Sequence, residues 1–127
     1  MSELSIKHIF GIRTSLCDCI AYLNEHCYLY PSSRHIILYD IDYKCQRLIN
    51  YGNEYDILEC LCLTPNKQYL AIALNTLDKC RIIIYDISQT IKSPIRRRKI
   101  LHLKQTIRSN HILSVIFSNN SKLLLAL

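Results

Sequence analysis

Glycine is scarce in this chain, with two in 127 residues, where average usage near 7% would supply about nine. That excludes collagen-like and glycine-rich linker classes, and it makes any turn that needs a positive φ lean on asparagine and aspartate. Tryptophan is absent and prolines number three. No stretch approaches the roughly 20 apolar residues of a membrane span. The N-terminus, Met1-Ser-Glu-Leu-Ser-Ile-Lys7-His-Ile-Phe-Gly-Ile-Arg13, puts charges where a secretory leader needs an apolar core, which points to a cytosolic or nuclear-side protein. Acidic residues are missing from residues 87–127, which carry eight basic ones and so a local +8; residues 1–86 hold ten acidic and eight basic, or −2. What is present is apolar: 50% hydrophobic against 20% charged, with nine tyrosines. Such a chain can bury enough surface to offset its conformational entropy, which excludes intrinsic disorder.

The positive charge is densest in Lys92-Ser-Pro-Ile-Arg96-Arg97-Arg98-Lys99. Lys92, Arg96, Arg97, Arg98 and Lys99 could serve as a nuclear localisation signal, a nucleic-acid or phosphate contact, or a docking patch for an acidic surface such as a tubulin tail. The competing reading is a solvated loop between strands, which Pro94 suits. The seven cysteines are odd in number and accompany no leader, against a complete disulfide framework. Cys17-Asp-Cys19 and Cys60-Leu-Cys62 are Cys-x-Cys pairs, and strand alternation puts both members of each on one face. Together with His26 or His35 they could form a zinc site, but the usual spacing of two to four intervening residues is missing. Buried strand cysteines are the better reading. With glycines only at 11 and 52 there is no phosphate-binding loop, and no acid–base pair stands at a recognisable spacing. No catalytic, cofactor or metal residue is assigned.

Periodicity favours strands throughout, in a grammar that repeats. Ile36-Ile-Leu-Tyr-Asp-Ile41 and Ile82-Ile-Ile-Tyr-Asp-Ile87 end in the same triplet, 46 residues apart from Tyr39 to Tyr85. Leu63-Thr-Pro-Asn-Lys-Gln-Tyr69-Leu-Ala-Ile-Ala73 matches Phe117-Ser-Asn-Asn-Ser-Lys122-Leu-Leu-Leu-Ala126, 54 residues apart from Thr64 to Ser118. A looser copy is the turn Asn24-Glu-His26 between Cys19-Ile-Ala-Tyr-Leu23 and Cys27-Tyr-Leu-Tyr30. The strands predicted are 19–23, 27–30, 35–41 and 45–49; then 57–63, 69–74, 81–87 and 99–103, with the basic segment in the loop before the last; then 112–117 and 122–127. Four-stranded units every 40 to 50 residues, roughly, mark a β-propeller, and WD40 repeats carry Trp-Asp at the end of the third strand. Tyr39-Asp40 and Tyr85-Asp86 stand there. A sandwich of short strands is the alternative.

The expected fold is therefore all-β, a WD40-like propeller that is incomplete: about two and a half four-stranded blades at 19–50, 57–103 and 112–127, after a lead-in at 1–18. A seven-bladed ring would need roughly 315 residues. The chain is expected to be a fragment that aggregates or stays partly molten when expressed alone.

His8-Ile-Phe-Gly11, Tyr30-Pro31, Thr64-Pro-Asn-Lys-Gln-Tyr-Leu-Ala-Ile72, Ile82-Ile-Ile-Tyr-Asp-Ile87, Arg96-Arg-Arg-Lys-Ile-Leu101 and Phe117-Ser-Asn-Asn-Ser-Lys-Leu-Leu-Leu125, in that order, resemble the amino-terminal WD40 region of the cilia- and flagella-associated protein 57 family. Thr64 stands where serine is usual, and Asn119-Asn120 replaces the common Pro-Asp turn. The resemblance implies a non-enzymatic scaffold of the ciliary or flagellar axoneme, on doublet microtubules. It implies axonemal partners, such as tubulin or inner dynein arm components, and brings no catalytic residues. The alternative is a WD40 scaffold of nucleus or cytoplasm that contacts RNA or the ribosome through Arg96 to Lys99. No aromatic lies between Tyr85 and Phe117 to stack on bases, which disfavours nucleic acid.

Overall fold

A computed structural model describes residues 11, 20–52, 55–76, 79–88, 95–102, 115–120 and 122–126, with the backbone alone at 76, 96–98, 102 and 126. Its described elements are ten strands: β1 Ala21–Asn24, β2 Cys27–Ser32, β3 His35–Asp40, β4 Cys45–Asn50, β5 Asp56–Leu63, β6 Tyr69–Thr76, β7 Lys79–Asp86, β8 Arg96–His102, β9 Val115–Phe117 and β10 Leu124–Ala126. They form two four-stranded antiparallel sheets, β1-β2-β3-β4 and β5-β6-β7-β8, and a two-stranded sheet β10-β9. This is the all-β architecture of an incomplete WD40-like propeller, each four-stranded sheet being a meander of neighbours joined in sequence order. The chain divides into two compact units, one up to Tyr51 and one from Gly52.

In the first unit β3 is a central strand, and Ile36, Ile37 and Leu38 are all buried. Buried on both faces, it reads as the unbroken aliphatic run that the sequence shows. Opposite residues across the sheet place Tyr22 beside Tyr28 and Tyr28 beside Tyr39. With Tyr30, two residues along β2, these rings form a cluster with centroids 5.4 to 6.1 Å apart. Each such pair adds about 0.5–1.5 kcal/mol beyond its area. The buried Tyr51 donates its hydroxyl to the Ser33 carbonyl at 3.2 Å, holding the β2–β3 loop.

In the second unit Leu70, Ile72, Leu74 and Ile83 are fully buried on one face of the sheet. On the other face Ala71, Ala73, Cys80 and Ile82 form a cluster with Val115, against which Cys60, Cys62, Ile84, Leu101, Phe117 and Leu124 pack. The hairpin β9–β10 thus lies on this sheet through Val115, Phe117 and Leu124. Cys60 and Cys62 share that face as the alternation requires. Asp56, its side chain 1% exposed, pairs with Arg81 Nη2 at 2.7 Å, tying β5 to β7. Gly52 sits against this carboxylate: a methyl group there would lie 2.0 Å from Asp56 Oδ2, so only glycine fits unless the buried pair moves.

The structure revises two expectations. Positive φ angles occur at Ser33, Lys44 and Lys67, with Gly11 the described glycine in that region. Serine and lysine take the left-handed positions, while Asp40 and Asn66 act as side-chain acceptors that hold the turns at Lys44 and Lys67. The basic run Arg96 to Lys99 is not a loop but most of β8, paired with β7. The β8 backbone is satisfied by pairing with β7 whatever side chains it carries, and Lys99 on it is exposed. Lys92 and Pro94 lie outside the described residues, as do Cys17 and Cys19.

Candidate functional site

The repeat seen in the sequence is a repeat of hydrogen bonds. In the β5–β6 turn the Thr64 amide donates to the Tyr69 carbonyl at 3.0 Å, and the Tyr69 amide donates to Thr64 Oγ1 at 3.0 Å. Thr64 Oγ1 bonds Asn66 Oδ1 at 2.6 Å, and that oxygen accepts the Gln68 amide at 3.1 Å. In the β9–β10 turn Ser118, Asn120, Lys122 and Leu123 reproduce every one of these bonds, at 2.8, 3.0, 2.6 and 3.1 Å. Asn24 does the same work in the β1–β2 turn, accepting the His26 amide at 2.8 Å. An asparagine side chain that caps the amide two residues on is an Asx turn, which makes glycine dispensable there.

The Tyr-Asp-Ile triplets also have one backbone role. Tyr39-Asp40 ends β3 and Tyr85-Asp86 ends β7. The following isoleucine then closes on the residue before the second strand of its sheet: Ile41 N–H donates to His26 O at 2.7 Å and Ile87 N–H to Gln68 O at 2.9 Å. Asp40 Oδ1 accepts the Tyr43 amide at 2.9 Å and Asp86 Oδ1 the Ser88 amide at 3.0 Å, so each aspartate shapes the turn after its strand. Near the first of these turns His26 Nδ1 meets Asp42 Oδ2 at 2.7 Å, both exposed.

The pairing of β7 with β8 sets Asp86 opposite Arg96 and Tyr85 opposite Arg97. The second sheet therefore joins the basic run to a repeat triplet, two features far apart in the sequence argument. Lys99 is exposed on the same strand. Beside it opens a groove of about 400 Å³, lined by Tyr69, Ile84, Lys99, Leu101, Phe117, Lys122 and Leu124. Its walls are apolar, and its cations are Lys99 and the exposed Lys122. Sequence reasoning missed this groove. The signal was the Thr64/Ser118 correspondence, which puts Lys122 where the second sheet has Gln68 and the first has His26.

The described cysteines, Cys27, Cys45, Cys60, Cys62 and Cys80, form no disulfide. Cys27 and Cys45 both pair with Asp40 from opposite sides, two strand spacings of about 4.8 Å apart, beyond the reach of a disulfide. Burial raises the Cys60 thiol to about 11, helped by Glu59 and Cys62. Burial likewise raises Cys27, with Asp40 adding to it, and Cys80, with Glu59 adding. These thiols stay protonated near neutral pH and pack as small apolar groups.

No family model matches the chain. It is 31% identical over 118 residues, 93% of its length, to cilia- and flagella-associated protein 57 of Mus musculus, and covers 9% of that protein. It is 31% identical over 84 residues, 66% of its length, to cilia- and flagella-associated protein 57 C of Tetrahymena thermophila, covering 6%. The chain thus spans less than a tenth of the length of these relatives. On this likeness the chain belongs to the cilia- and flagella-associated protein 57 family and has its place in the cilium or flagellum.

Proposed function

We propose that the chain acts as a non-enzymatic docking scaffold of the axoneme, holding other proteins on doublet microtubules at inner dynein arms or neighbouring regulatory complexes. The observation that carries this reading is the similarity to cilia- and flagella-associated proteins over 93% of the chain. The charge supports it: residues 87–127 carry eight basic and no acidic residues, and a cationic surface is drawn to acidic tubulin. Residues 19–50, 57–103 and 112–127 are taken as successive blades after the lead-in 1–18. Lys92, Arg96, Arg97, Arg98 and Lys99 are the docking residues of this reading.

Tagged expression in a ciliated cell tests it, with axonemal signal expected; nuclear accumulation without axonemal signal would favour the nuclear scaffold. Replacing Arg96, Arg97, Arg98 and Lys99 by serine is expected to weaken co-sedimentation with microtubules, and unchanged binding would remove these residues from the docking role.

A further inference from the structure

We propose that the turn end of the second unit, where Lys67 and Lys122 join the start of β8, holds a flexible glutamate-rich segment of the microtubule surface. The inference deepens the scaffold reading above and rests on it, but neither Lys67 nor Lys122 belongs to the basic run from which that reading starts.

Three elements bring their cations to this end. Lys67 stands exposed at the tip of the β5–β6 turn. Its amide donates to Thr64 O at 2.9 Å, and the neighbouring Gln68 carbonyl accepts the Ile87 amide at 2.9 Å. That second bond fixes the tip to the end of β7, where Asp86 lies opposite Arg96, the first residue of β8. Lys122 stands exposed in the matching β9–β10 turn. The cleft that it borders with Tyr69 and Lys99 puts it at the start of β6, the end that carries Lys67. Of the described carboxylates in this unit, Asp56 and Glu59 belong to the far end and the middle of β5, and Asp86 is engaged by the amide and hydroxyl of Ser88. The field at the turn end is therefore positive. A further strand of the repeat lies alongside strands and leaves such tips in water.

Lys67 holds its charge in a left-handed conformation, φ 60°, which glycine adopts without cost. Strain alone does not single it out, because Lys44 has a φ of 50°. The company differs: Lys44 shares its end of the first sheet with Asp40 and the exposed Glu25 and Asp42. Lysines are point charges on flexible stems, so the tips suit a partner with many equivalent carboxylates rather than one fixed acid. They supply no stacking platform of the kind that single-stranded nucleic acid uses.

The test is fluorescence anisotropy of the 127-residue chain with a labelled oligoglutamate peptide at low salt, with urea unfolding of every variant beside it. Saturable, salt-sensitive binding is expected. Lys67→Gly removes charge and strain together, so its affinity should fall about two- to fivefold while its urea midpoint rises. Lys67→Arg should keep both. Lys122→Ser should weaken binding by a similar factor. Lys44→Gly relieves the same strain and should raise the midpoint with affinity unchanged. Microtubules stripped of their acidic tails by limited proteolysis should retain less of the chain than intact ones. Unchanged affinity in Lys67→Gly and Lys122→Ser, an equal loss in Lys44→Gly, tighter binding of a uridine oligonucleotide than of the peptide, or equal retention by stripped and intact microtubules would overturn the proposal. A chain that shows the expected losses but misses the cilium refutes only the axonemal reading, and one that reaches the cilium with both affinities unchanged refutes only this one.

Discussion

At the residue scale, the shortage of glycine has a local cost. Lys67 holds a φ of 60°, a left-handed conformation that costs a residue with a Cβ about 1–2 kcal/mol. Lys67→Gly removes that cost but gives the unfolded chain more freedom. A net gain of about 0.5–1 kcal/mol is expected, read as a higher urea midpoint at unchanged slope. Cys60 makes a prediction about pH. Its folded-state thiol is raised to about 11 from an ordinary 9.0, so the stabilisation it contributes is complete below pH 9 and is lost as pH rises toward 11. Stability should therefore fall across that window, and Cys60→Ala should flatten the fall. At pH 8 the thiol should also alkylate more slowly than free glutathione.

Elements carry the clearest link between sequence and fold. The 46-residue separation of Tyr39 and Tyr85 and the 54-residue separation of Thr64 and Ser118 were legible because each triplet or turn performs a backbone task that few sequences perform. Thr64 is 1% exposed, so its turn bonds are shielded from water. Thr64→Val should cost about 1–2 kcal/mol, and Ser118→Ala less, because its turn is bonded on an exposed hairpin; chemical denaturation of the two variants compares them. The basic run was not legible as a strand. Its charges mask an alternation that β7 imposes by backbone pairing, and the extra residue Arg98, between the partners of Ile84 and Tyr85, breaks the period further. The groove was hidden for another reason: Lys99 and Lys122 meet only when the hairpin packs on the second sheet, a long-range contact that no local pattern encodes.

For the whole molecule, the charge asymmetry matters more than the net +6. If residues 87–127 guide docking on an acidic filament, the attraction is between exposed charges and is screened over about 10 Å at 0.1 M salt. Microtubule co-sedimentation should therefore decline steadily as salt is raised, while the urea midpoint of the chain changes little, because its sheets are held by buried aliphatic residues and backbone ladders. A binding curve insensitive to salt would shift the weight of docking to apolar surfaces such as Ile116, Leu123 and Leu125, each more than half exposed.

The isoleucine that follows each Tyr-Asp pair lies one residue past its strand, where fraying is normal. Yet its amide is locked onto the carbonyl that precedes the second strand of the sheet. In deuterium exchange, Ile41 and Ile87 should behave as clasps, their amides retained long after those of Asp42 and Ser88 have exchanged. Sheet opening would then begin when the clasp releases, so the two isoleucines set the timing of local unfolding in the sheets they close.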